Sequence, residues 1–233
     1  MPGDSEGSIS DWLTALRTFY EINRPIFEFG YGLSFFVMGL VVALQSRRSS
    51  RLALARTLGW LAAFGLTHGL FEWGEHFAPV HEAVLNPAGI EALHSVHLIL
   101  LSASLACLFM FGAGLMRAAE GWRWLSRLAA GLLAGYFLVA LFVLPQMIPD
   151  PIGWHNVANA LARYLIGFPG ALLAAYGLRV QAHRFVAPLE APHIVTMLRA
   201  AGIGLLLYAV FGGLIPPPIP VWPGSVLNTR TFE

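Results

Sequence analysis

The stretch LILLSASLACLFMFGAGL, residues 98–115, decides the fold, because it carries no charged side chain from end to end. A helix needs roughly 20 apolar residues to cross a hydrocarbon core of about 30 Å, and this run together with its flanks supplies them. Working outward in both directions, five more runs of that kind appear, so the six spans are read at 25–45, 57–77, 93–116, 126–148, 156–179 and 194–215. Each is apolar on nearly every side, unlike the single stripe of a soluble bundle helix. Composition agrees: of 233 residues, 57% are apolar and 12% charged, against roughly 25% charged in an ordinary soluble domain. The mean hydropathy is +0.65. The expected fold is all-α, a polytopic transmembrane bundle with six helices in these residues.

Three segments follow from this pattern. In residues 1–24, Trp12, Leu13, Leu16, Phe19 and Tyr20 recur at helical spacing and predict a short amphipathic helix lying on the membrane surface. The bundle occupies 25–217. Residues 218–233 follow as a Pro-rich external loop, and the stretch PPPIPVWPG at 216–224 disfavours helix. The acidic N-terminus MPGDSEGSISDW lacks the basic region and cleavage site of a signal peptide.

All 14 basic residues are arginine and the formal charge is +1, which gives no patch for nucleic acid. The lone Cys107 excludes a disulfide framework. Ten arginines fall on one side: Arg47, Arg48, Arg51 and Arg56 in the first link, Arg117, Arg123 and Arg127 in the third, Arg179, Arg184 and Arg199 around the fifth. Loops rich in arginine stay cytoplasmic, so the N-terminus is expected outside a bacterial inner membrane.

Polar residues inside the spans mark the candidate site. Glu28, Glu72, His155, Asn159 and Arg163 are expected to point into the outer half of the bundle and form a ligand or sensing pocket, because charge facing lipid costs about 2.5–3.5 kcal/mol. Arg163 paired with Glu72 or Glu28 could equally be an ion pair that fixes helix register. His68 and Glu72 at i,i+4 and His94 and His97 at i,i+3, with His76 nearby, are candidates for a haem b or a Cu, Zn or Fe ion. No metal motif such as His-Glu-x-x-His supports that, and a proton or small-ligand site is the third reading. His81 is expected at the solvent boundary, His183 and His193 in a solvated link. The glycines of GAGL and AGIGLLL, with Gly131 and Gly135, are read as points of close helix packing.

The stretch from Phe27 to Phe77, with FGYGLSFFVMGL, the link RRSSRLALAR and WLAAFGLTHGLFEW, resembles the N-terminal membrane sensor region of bacterial integral-membrane sensor histidine kinases and related diguanylate cyclases. The tail GSVLNTRTFE is similar to the outer loop that in such proteins leads to a seventh helix. The resemblance implies a sensory input unit of a two-component protein, a homodimer, a cytoplasmic signalling module downstream and a response regulator as its target. These 233 residues hold no phosphoacceptor helix, ATP lid or cyclase signature, so any enzyme activity would belong to that downstream module. A b-type cytochrome and, less favoured, a small-solute transporter are the rival classes.

Overall fold

Proline and glycine set where the helices of this chain begin, bend and touch. The computed structural model describes residues 4–48 and 53–214. Six helices follow one another: α1 Asp4–Arg48, α2 Ala53–Glu82, α3 Pro87–Glu120, α4 Trp124–Met147, α5 Ile152–Val186 and α6 Pro192–Leu214. There is no strand among the described residues. Five of the six are long and apolar enough to cross a membrane. The exception is α2, whose run is interrupted by His68, Glu72, Glu75 and His76. It nevertheless lies packed between α1 and α3. The chain is a membrane-embedded, multi-pass helical bundle.

The boundaries have local causes. Asn86 caps α3 by accepting from the Gly89 N–H at 2.8 Å, with Pro87 at the first turn, and Gly121 closes it in the left-handed region at φ 72°. Asp150 caps the start of α5 the same way, accepting from the Gly153 N–H at 2.8 Å. Within the helices, short π-helical turns occur at Val139–Val143, Arg163–Gly167, Ala182–Val186 and Ala209–Leu214. Each ends two residues before a proline: Pro145, Pro169, Pro188 and Pro216. A proline lacks the N–H that the carbonyl four residues earlier needs, and its ring crowds that carbonyl, so the preceding turn widens.

The separate surface helix expected over residues 1–24 is the first half of α1, which continues through Pro25 without a break. At 1.5 Å per residue a helix of 45 residues is about 68 Å long, more than twice a hydrocarbon core, so roughly half lies beyond it. Its exposed stripe of Trp12, Leu16 and Phe19 is in place, and the i,i+4 pairs Arg17–Glu21 and Arg24–Glu28, at 2.8 and 2.6 Å, brace the same helix. The proline-rich segment 218–233 lies outside the described residues.

The most buried span is α3, which packs against α2, α4 and α5. Lipid gives no hydrophobic push between apolar helices, so their association rests on close packing. The tightest seam is α1 on α2. A Cβ on Gly65 would lie 2.7 Å from the Gly39 Cα, and one on Gly69 would lie 2.8 Å from the Gly32 carbonyl oxygen. Gly112 of α3 meets the backbone of Ala174 in α5 in the same manner, at 2.7 Å. By contrast Gly131 and Gly135 face open space, so these two do not serve the close packing read from sequence.

Candidate functional site

His68 is the centre of the polar interior. It is fully buried on α2, with Phe64 stacked on it at 5.1 Å and the edge of Phe35 at 4.7 Å. Its Nδ1 lies 3.1 Å from the Ser104 hydroxyl of α3. That hydroxyl donates its hydrogen to the Leu101 carbonyl at 2.7 Å, so the imidazole must carry the proton on Nδ1 and donate to Ser104. Nε2 is then the site of contention. The Tyr208 hydroxyl of α6 lies 3.1 Å from it and Glu72 Oε1 3.3 Å. With neutral imidazole Nε2 accepts from Tyr208; with imidazolium it donates toward Glu72. The imidazole thus joins three helices, α3 through Nδ1 and α6 through Nε2, with Glu72 of its own helix also beside Nε2.

Arg163 of α5 stands beside this group at the head of a π-helical turn. Among the described residues it forms no ion pair with an acid: Glu72 lies beside His68, and Glu28 beside Arg24 and His76. This sets aside the alternative of an Arg163–glutamate ion pair, and the reason lies in α6. The guanidinium donates to Asn159 Oδ1 at 2.8 Å and to the Gly212 carbonyl at 2.7 Å, and sits 5.8 Å over the Phe71 ring. In an α-helix the Gly212 carbonyl would accept from residue 216, which is a proline. Arg163 supplies the donor that Pro216 lacks, and a positive charge at the C-terminal end of a helix is also favoured by the helix dipole.

The remaining candidates form a row of separate pairs rather than one pocket. Glu28 lies 3.0 Å from His76 Nδ1, Glu82 3.1 Å from His94 Nε2, and Glu75 3.0 Å from His97 Nδ1. The last pair is close but poorly aligned, so His97 Nδ1 makes no hydrogen bond despite its burial. His155 is buried against Trp154, its Nε2 3.1 Å from the Ser95 hydroxyl, and lies near His94 rather than near Arg163. His81 Nδ1 donates locally to the Phe77 carbonyl at 2.9 Å, and His183 is exposed as expected.

This arrangement lends a metal or haem no support. Among the described residues no three His, Cys, Asp or Glu side chains converge to hold an ion. Both nitrogens of His68 are engaged, and Phe35, Phe64, Phe71 and Tyr208 enclose its ring where a macrocycle would have to lie. His97 Nε2 abuts Gly74, 2.6 Å from where a Cβ would sit.

A cavity of about 350 Å³ lies between α1 and α6, lined by Tyr31, Phe35, Tyr208 and Phe211. Tyr208 is therefore a wall of this cavity and a partner of His68 at once. Sequence reasoning missed Tyr208, Ser104 and Gly212. The one legible signal was the proline four residues after Gly212. Comparison with known proteins gives no matching family model, no matching curated protein and no matching solved structure.

Proposed function

We propose that the chain is the membrane-embedded sensory input unit of a bacterial signal-transduction protein of the two-component histidine kinase type. In this reading it sits in the inner membrane with its N-terminus outside, works as a homodimer, and drives a cytoplasmic kinase or cyclase module and its response regulator. The observation that carries the reading is the attachment of α6. This helix is otherwise sparsely buried, yet Tyr208 and Gly212 tie it to the polar interior through His68 and Arg163. A proton or a small ligand entering beside Tyr208 would change which partner holds Nε2, and α6 would feel the change directly. The signal is the difference in binding free energy between two packings of α6.

The groups facing that switch are Tyr31 from α1, His68 and Glu72 from α2, Ser104 from α3, Arg163 from α5 and Tyr208 from α6. Spin labels at the exposed Leu70 and Leu207, in nanodiscs taken across about pH 5 to 8, should give two distance populations whose ratio shifts. Tyr208→Phe should leave one population, at a stability cost of about 1–2 kcal/mol. An unchanging distribution in the wild type would sink the sensor reading. Solute flux in liposomes would replace it with a transporter, and a Soret band with a cytochrome. The kinase assignment has its own check, which is uptake of phosphate from ATP by the polypeptide isolated from its native membranes.

A further inference from the structure

A second cavity does not include His68 in its wall. About 660 Å³ in volume, it lies between the C-terminal half of α5 and the first half of α6. One end is basic: Arg179, His183 and Arg199 line it, with Arg199 Nη2 3.5 Å from His183 Nε2. Neither Arg179 nor Arg199 forms an ion pair among the described residues, whereas the neighbouring Arg184 is neutralised by Glu120. The rest of the wall is apolar, with Leu172, Leu198 and Leu206. Gly202 brings the two helices together there, since a Cβ on it would sit 3.3 Å from the Ala175 carbonyl oxygen.

We propose that this groove binds one anionic phospholipid, its phosphate between Arg179 and Arg199 and an acyl chain against Leu172, Leu198 and Leu206. Two arginines without a counter-ion ask for an anion, and basic pockets between membrane helices suit phospholipid headgroups. A free phosphate would satisfy the arginines but leave the apolar length of the groove unused. The lipid would bridge α5 and α6 at the end opposite the Arg163–Gly212 bond, so its presence would set how far α6 is free to move. The site stands on its own residues and does not depend on the sensor reading.

The test is native mass spectrometry of the purified protein titrated with phosphatidylglycerol, phosphatidylcholine, or inorganic phosphate. The wild type should retain one phosphatidylglycerol with at least tenfold preference over phosphatidylcholine. The double variant R179Q/R199Q should bind it about thirtyfold more weakly, R179K/R199K should keep most of the affinity, and R127Q, away from the groove, should match the wild type. Where the double variant does not fold, Ile203→Trp, which fills the groove with both arginines retained, should produce the same loss. Equal retention by wild type and R179Q/R199Q would reduce the site to nonspecific lipid contact. Competition by inorganic phosphate at the concentration of the lipid would overturn the acyl-chain half of the proposal.

Discussion

Gly65→Val should lower the melting temperature of the detergent-purified protein by about 6–12 °C, the shift that a loss of ~3 kcal/mol produces in a chain of this size. The cause is specific. A Cβ on Gly65 would sit 2.7 Å from the Gly39 Cα, 2.7 Å from the Phe35 carbonyl oxygen and 2.8 Å from the Gly39 nitrogen, all of them backbone atoms of α1. No rotamer change can clear them, so the whole of α1 must move outward. That movement would also disturb Phe35 and Trp73, which close the α1–α2 seam, the first beside His68 and the second stacked on Phe29 at 5.5 Å. Gly131→Val is the matched control: nothing lies within 4 Å of that position, and a change under ~1 kcal/mol is expected. Equal melting temperatures for the two variants, read by fluorescence-detected size exclusion, would mean that the α1–α2 contact is not a packed seam.

The contrast between these glycines shows what the sequence could and could not tell. The apolar spans were legible because hydrocarbon thickness fixes a length, and length is visible in one dimension. Which glycines meet another helix depends on rotation about the helix axis, and a span that is apolar all round carries no marker of its inner face. Gly65 and Gly69 stand four apart beside the buried His68, whereas Gly131 and Gly135 stand four apart with nothing against them. Polar residues were better guides. Of the expected pocket, Glu72 lies beside His68 and Asn159 beside Arg163, whereas Glu28 pairs with His76 and His155 with Ser95. The partner of Arg163 was not legible from charge, because the missing donor at Gly212 is a backbone matter written in Pro216. Tyr208 was hidden by distance: it lies 140 residues from His68 and looks like one more aromatic in an apolar helix.

His68→Leu tests whether that hidden contact forms a network. The substitution leaves Ser104 bonded to Leu101 but removes the acceptor of the Tyr208 hydroxyl. A stranded hydroxyl costs about 1–3 kcal/mol, so the variant should lose at least that much. Adding Tyr208→Phe removes the orphan. The double variant His68→Leu/Tyr208→Phe should therefore be more stable than His68→Leu alone by ~1–3 kcal/mol, although Tyr208→Phe in the wild-type background is destabilising. That reversal of sign is the signature of a direct hydrogen bond between the two side chains, because packing losses at two positions would merely add. Additive losses would show that the hydroxyl and the imidazole are independent. In that case α6 would be tied to the interior only through Arg163 and Gly212, and a change at Nε2 would have no direct route to the last helix.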